Sequence, residues 1–313
     1  MEIIPVFFSF DNGYVPQAAV TFESLLTNRK NKIFYELKVL YTEISENNQL
    51  VLKELVDKHP NTSLDFILLE KSLLNLSFDN TNFSTGHLGT VFTVDTLFRC
   101  IPDLIPELNK YEKIIYSDVD IVIVDDISEL NKITFTNEYL AGVKIPSFLE
   151  HEIKHLPEKF KGKYFAGGLW VMNLKKMRED KIGEKAIALM KNPPFKLLWN
   201  DQDVMNLVCD TNVLYLPYKY ISIPDWLPML KKIKFKDKYY PNKELYDCMY
   251  SPKIVHYAGK KPWKDVSVLK ADLWFDWLDK TPFSNLFDDK KNELKEKSKV
   301  NVFNKLLKKL RKL

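Results

Sequence analysis

Four short clusters in this chain carry side chains that could do chemistry. The first is Asp118 and Asp120, in YSDVDIVIV, which reads as mostly buried strand interrupted at its start by two acids. The preceding apolar run, 113–116, gives out just as the acids begin. In extended backbone, residues two apart face the same way, so the two carboxylates repel unless a cation lies between them. A hard divalent metal is the common solution, and one held by few carboxylates completes its shell with substrate phosphate oxygens. The second cluster is IVHYAGKKPW, where His256 closes another apolar run. Two Asp and one His form a mixed oxygen and nitrogen set, better matched to manganese than to magnesium. Beyond it, Gly259 permits close backbone approach, and Lys260 and Lys261 offer point charges to a phosphate. The third is WNDQDVMN, with Asp201, Gln202 and Asp203 at an expected helix start. The fourth is FSFDNGY, with Ser9 and Asp11 at the end of the first strand. Each has an ordinary alternative: a solvated turn for Asp-x-Asp, a basic turn with a packed Trp for HYAGKKPW. Acids can simply offset a helix dipole, and Asp-Asn-Gly is turn chemistry.

The elements that must position these clusters follow from the pattern of apolar residues. IPVFFSF, FYELKVLYT and SLDFILLE read as strands. Between them, PQAAVTFESLLTN and SENNQLVLKELVDKH read as helices, the second opened by Ser45 as N-cap. Strand–helix–strand–helix–strand implies a parallel sheet with right-handed crossovers. Ligands of such open sheets lie beyond the carboxyl ends of the strands, which is where Ser9, Asp11, Asp118 and Asp120 fall. TVFTVDTLFRCIPDLIPEL reads as a helix broken or ended near Pro102, and KKMREDKIGEKAIALMKN as a helix stopped by Pro193 and Pro194. EHEIKHLPEKFKGK reads as a long polar loop, and NVLYLPYKYISIP as a late strand.

Composition narrows the class. The 313 residues suffice for one large α/β domain with a tail, or for two domains. No apolar run approaches the ~18 residues of a spanning helix, and MEIIPVFFSF lacks the basic start of a secretory signal. Cys100, Cys209 and Cys248 have neither metal-ligand spacing nor a disulfide framework, so a reducing compartment is expected. Residues 290–313 hold ten Lys or Arg against two Glu, leaving residues 1–289 at −4. An acidic body gives no reason to expect nucleic acid as a partner. Residues 299–313 repeat Val302, Phe303, Leu306, Leu307, Leu310 and Leu313 at helical spacing among basic residues. That predicts a basic amphipathic helix for an anionic membrane face, with a packed or disordered terminus as the alternative. The expected division is a domain over 1–285 and a tail over 286–313, in a cytoplasmic protein peripheral to the inner face of the cell membrane.

Six segments, in order and spacing, resemble retaining glycosyltransferase family 8, which includes bacterial lipopolysaccharide galactosyl- and glucosyltransferases. They are FFSFDNGYVPQAAVTFESLL, TVDTLFRCIP, KIIYSDVDIVIVDDISEL, FAGGLWVMNLKKMR, NDQDVMN and IVHYAGKKPW. The resemblance implies a GT-A fold: an α/β, Rossmann-like nucleotide-sugar-binding domain on a mixed, mainly parallel sheet, here with a C-terminal helical tail. It implies manganese, held by Asp118, Asp120 and His256. It implies a UDP-hexose donor contacted by Ser9, Asp11, Arg99, Asp118, Asp201, Gly259 and Lys261. Gln202 and Asp201 take the catalytic places beside the donor sugar. Ala166 stands where many relatives have Asn, and Gly13 where some have Asn. The loop from His256 to Lys261 is one residue shorter than in many relatives, which makes Lys260 an alternative to Lys261.

The implied reaction moves galactose or glucose from a UDP-sugar to a cell-envelope glycan or glycolipid acceptor. The segments 146–163 and 225–230 are the expected acceptor walls. Two other readings stand beside it. A UDP-sugar hydrolase or nucleotidyltransferase could use the same metal, but no Gly-rich phosphate loop or basic nucleotidyl-transfer motif is present near the N-terminus. A catalytically silent, membrane-docked sugar-nucleotide-binding protein would not need Asp118, Asp120, Asp201, Gln202 and His256 together.

Overall fold

The computed structural model describes residues 1–30, 32–74 and 94–297. The basic run 299–313 and the start of the TVFTVDTLF segment lie outside them. In chain order, β1 (Glu2–Ser9), α1 (Val15–Thr27), β2 (Ile33–Tyr41), α2 (Glu46–Asp57) and β3 (Thr62–Leu68) form the expected alternation. Ser45 caps α2 by accepting from the Asn48 N–H at 3.3 Å. The short helix α3 (Val94–Leu97) leads to β4 (Ile114–Ser117), β5 (Ile121–Ile123), β6 (Leu140–Lys144) and β7 (Phe165–Met172). Then follow α4 (Leu174–Glu179), α5 (Ile182–Lys191), α6 (Asn200–Cys209), β8 (Val213–Tyr215), α7 (Leu227–Lys232), α8 (Asn242–Tyr250), β9 (Ile254–His256) and α9 (Ala271–Leu278). Residues 288–297 turn helically at the end of the described chain.

The main sheet has seven strands in the order β3-β2-β1-β4-β7-β6-β8. It is mixed and mainly parallel: β1 pairs in parallel with β2 and β4, β2 with β3, and β6 with β8. Among the described residues, only β7 runs against its neighbours β4 and β6. The period of two in each strand divides the core. Ile4, Val6, Phe8, Ile115, Leu169 and Val171 enter a cluster shared with α1 and α2. Phe7, Ile114, Tyr116, Trp170 and Met172 enter the cluster shared with α4, α5 and α6. A third cluster sits around β9 and α9, where Trp263 and Trp274 pack at a tilt with ring centres 4.9 Å apart. Phe283, Phe287 and Leu294 pack against it.

Several element readings are corrected. YSDVDIVIV is not one strand: β4 and β5 belong to different sheets, and residues 118–120 bend between them. β5 pairs instead with β9 in a two-stranded antiparallel sheet. The helix expected around Arg99 breaks into α3 and successive 3-10 turns at 98–100, 102–104 and 106–108. Pro102 and Pro106 each lack the N–H a longer helix needs. The helix expected over 175–192 divides at Lys181, whose φ of 55° is left-handed. The polar loop before β7 contains 3-10 turns at Ser147–Ile153 and Glu158–Phe160, and the late strand shrinks to β8 plus a bridge between Ser222 and Val255.

Candidate active site

The pairing of β1 with β4 aligns Phe7 with Tyr116, so Ser9 and Asp118 leave the sheet side by side. The two-stranded sheet brings in the histidine. Ile121 lies opposite His256, and the Tyr257 N–H donates to the Asp120 carbonyl at 2.9 Å. The bend at 118–120 turns both carboxylates to the ring: His256 Nε2 is 3.1 Å from Asp120 Oδ1 and 3.5 Å from Asp118 Oδ2. One ligand atom from each residue falls within 4.8 Å of the others. At Asp120 Oδ1 the approach has the distance of an ion pair without hydrogen-bond geometry, so this buried oxygen has no hydrogen-bond partner. Burial alone would favour the neutral ring; the negative charges of Asp120 and Asp118 close to Nε2 instead hold the His256 pKa up at about 9. The pocket therefore calls for positive charge, and its donor set fits a divalent metal.

Gly168 makes this convergence possible. Its φ is +101°, and a Cβ there would lie 2.3 Å from the His256 ring. Its carbonyl accepts from the Asp118 N–H at 2.8 Å, tying the start of β7 to the acid motif. Lys261 is buried and donates to Asp120 Oδ2 at 2.5 Å and to the Tyr257 carbonyl at 2.6 Å. Lys260 points elsewhere, exposed and 3.4 Å from Asp265. Close packing holds Gly259, since a Cβ there would meet an Asp225 carboxylate oxygen at 2.0 Å.

Arg99 sits centrally. Its Nη1 is 2.5 Å from Asp118, its Nε 3.3 Å from Asp201, and its guanidinium lies 4.9 Å from the centre of the Tyr116 ring. Burial works against its charge, but the two carboxylates more than offset this and raise its pKa. Asp201 is buried on the first turn of α6; that burial, reinforced by Asp118 and opposed by Arg99, lifts its pKa to about 6.

Gln202 is held by a network that the sequence reading did not find. Its Oε1 accepts from the Gly167 N–H at 2.5 Å, and its Nε2 donates to the Tyr164 hydroxyl at 2.9 Å. Burial and the Asp203 charge push the Tyr164 pKa well up, so the hydroxyl keeps its proton and donates it to Asp203 Oδ1 at 2.6 Å. Asp203 is fully buried; its other oxygen accepts from the N–H groups of Leu198 and Trp199 at 2.9 and 3.0 Å, with His155 Nε2 at 2.8 Å. A carboxylate only accepts and a peptide N–H only donates. The amide of Gln202 is thereby fixed from both sides. The available sequence signal was Asp203 itself, the second acid in NDQD, which needs buried partners if it is not solvated.

The metal-ligand candidates, Arg99, Asp201, Gln202, Tyr164 and Lys261 line one cleft of about 390 Å³. It includes every predicted site residue: Ser9, Asp11, Arg99, Asp118, Asp120, Asp201, Gln202, His256, Gly259 and Lys261. Ser9 donates to the Leu40 carbonyl at 3.4 Å and also to the Asp95 carbonyl, while Asp11 Oδ1 accepts from the Gly13 N–H at 2.7 Å. The expected acceptor walls contribute Leu149, Glu152 and Ile153 on one side and Asp225 and Trp226 on the other.

The model of glycosyl transferase family 8 matches residues 5–267. This chain belongs to that family. The glycosyltransferase is 27% identical over 317 aligned residues to a lipopolysaccharide 1,2-glucosyltransferase of Escherichia coli, covering 97% of this chain and 87% of the relative. Among solved structures, the apo form of the bifunctional glycosyltransferase WbbM matches with a TM-score of 0.73 at 24% identity. That match covers 92% of this chain and 52% of WbbM, so this chain spans about half of WbbM's length. The galactosyltransferase LgtC, solved with donor and acceptor sugar analogs, gives 0.68 at 18% identity over 89% of this chain and 96% of LgtC. The fold of this family 8 enzyme is thus the expected GT-A fold. Among its described residues, no helix is long and apolar enough to cross a membrane.

Proposed function

We propose that this glycosyltransferase moves galactose or glucose, with retention, from a UDP-sugar to a cell-envelope glycan of the lipopolysaccharide or lipooligosaccharide kind. The observation that carries the reading is the meeting of Asp118, Asp120 and His256 beside Arg99, Lys261 and Gln202 in one cleft. Relatives that are lipopolysaccharide glycosyltransferases, including a 1,3-galactosyltransferase of Salmonella typhimurium, support the acceptor class.

Asp118, Asp120 and His256 would hold manganese, which when bound offsets charge on the donor diphosphate. Ser9 and Asp11 receive the nucleoside. Gly259 lets the diphosphate approach the backbone, and Lys261 adds positive charge to the leaving group. Stabilising charge that develops in the transition state is usually the largest single contribution to catalysis. Arg99 orients Asp118 and Asp201 around the donor. As the anomeric carbon–phosphate oxygen bond breaks, the acceptor hydroxyl oxygen bonds to that carbon from the same face. Its proton goes to the departing phosphate oxygen. Gln202, its amide fixed by Gly167 and Tyr164, steadies the cationic sugar, and Asp201 lies beside it. In glycosidases, retention uses a nucleophilic carboxylate about 5 Å from an acid; here Asp201 is tied to Arg99, which favours the same-face path. Through its basic tail, 286–313, the enzyme would sit at the cytoplasmic face of the membrane.

The test is UDP release by the purified chain from UDP-galactose, UDP-glucose and UDP-N-acetylglucosamine, with manganese and then with a chelator. Metal-dependent release from one hexose donor is expected and names the sugar. Silence from all three, with no manganese-dependent UDP binding, sinks the donor site.

A further inference from the structure

Beside the cleft, the surface between α7 and α8 has a composition that the transfer reaction does not use. Asp225 and Trp226 line the cleft, and α7 begins at the next residue. From there Lys231, Lys232, Lys234, Lys236, Lys238 and Lys243 follow within a short span, all exposed. Among the described residues, only Lys243 of these six has an ion-pair partner, Asp247 at 2.6 Å. The acid in their midst, Asp237, is turned inward and accepts from the N–H and hydroxyl of Ser147 and the N–H of Tyr239. Residues 229–250 thus carry +3 on a body, 1–289, that sums to −4.

Apolar side chains stand among these charges. Lys234 and Phe235 are both left-handed, with φ of 52° and 56°. The Phe235 ring lies 5.6 Å from Tyr246 and 6.2 Å from Tyr250, whose own rings meet at a tilt with centres 4.4 Å apart. Tyr246 and Tyr250, one turn apart on α8, are 52% and 54% exposed, and Met229 is 39% exposed. Rings with an apolar body and a polar tip suit the headgroup level of a bilayer. Lys, unlike Arg, offers no fork for bidentate recognition of one phosphate; an array of such point charges matches the diffuse negative field of a lipid surface.

We propose that residues 229–250 form a docking surface for an anionic phospholipid bilayer. Because the surface starts at the cleft wall, docking presents the cleft mouth to the lipid face. That use rests on the proposed lipid-linked acceptor; the docking does not.

The test must separate this surface from the basic tail, so it uses the full chain and a local reporter. The three native cysteines are buried, so an Asn242→Cys variant accepts an environment-sensitive dye at one exposed position on α8. A Glu54→Cys variant places the dye on α2, by the opposite edge of the sheet. Phosphatidylcholine vesicles containing phosphatidylglycerol should shift the emission at position 242 to the blue and leave position 54 unmoved. Phosphatidylcholine alone should shift neither. Changing Lys231, Lys232, Lys234 and Lys236 to Gln should weaken vesicle binding by on the order of tenfold or more, with UDP release in vesicle-free solution unchanged. Vesicle binding with no response at position 242, equal binding by the quadruple variant, or no binding at all overturns the proposal. The dye reads docking whether or not any UDP-sugar is turned over.

Discussion

The two ends of the cleft hold their working groups by different means. At the proposed metal-binding end, Asp118 and Asp120 come from one three-residue bend, and His256 and Lys261 from the end of β9 and the loop after it, across a two-stranded pairing. The groups there are charged, and each charge answers another. At the proposed sugar end, one neutral amide, Gln202, is oriented by Gly167, Tyr164 and Asp203, and Asp203 in turn by His155, Leu198 and Trp199. In the proposed reaction the first end holds a cation and the second fixes a direction. Substitutions at the first should therefore cost metal and diphosphate binding, and substitutions at the second should cost turnover alone.

The largest effect is expected from Asp120→Asn. It removes the charge of one of three converging ligands and leaves a single oxygen where one now faces the ligand cluster and another faces buried Lys261. Transfer should fall by on the order of a thousandfold, with the far-ultraviolet circular dichroism of the wild type and loss of manganese-dependent UDP binding by calorimetry. Normal transfer by this variant would remove Asp120 from the metal set.

A smaller effect, confined to the same end, is expected from Gly168→Ala. The added methyl would need a φ of +101° and space now filled by the His256 ring at 2.3 Å. The ring must move, so the apparent manganese affinity should weaken by about 10–100-fold, the usual range for losing a ligand's support. Saturating manganese should restore much of the rate. A metal titration that matches the wild type would show that His256 does not depend on Gly168 for its place.

The same contrast explains what the sequence disclosed. The convergence of Asp118, Asp120 and His256 was legible because these residues lie in short motifs at the ends of apolar runs, where an α/β sheet places ligands. The strands β1 to β3 and helices α1 and α2 were legible from uninterrupted periodicity. The network under Gln202 was not: Tyr164 and His155 lie 39 and 48 positions before Asp203, and no periodicity links them. His155 sat in what looked like a polar loop. Gly168 stood in FAGG, but its contact with His256 exists only once β7 and β9 are in place. The break near Pro102 was read from the proline itself, whereas those at Pro106 and Lys181 were hidden by apolar spacing that looks helical on both sides of each interruption.

Tyr164→Phe tests the comparison most narrowly, because it deletes one oxygen and no charge. The Tyr164 hydroxyl gives its proton to Asp203 and accepts from Gln202 Nε2. Without it, Asp203 Oδ1 and the Gln202 amide each lose a buried partner, which should lower stability by about 1–3 kcal/mol. Asp203 keeps three partners on its other oxygen, so α6 should stay in place. Gln202 keeps only the Gly167 N–H and can swing about it. A misplacement of this kind should lower kcat by about tenfold or more, while donor KM and manganese affinity stay near the wild type. Equal loss in kcat and kcat/KM marks an interaction made in the transition state alone. If KM rises at constant kcat instead, Gln202 binds the donor sugar without favouring its reaction, and both ends of the cleft serve binding.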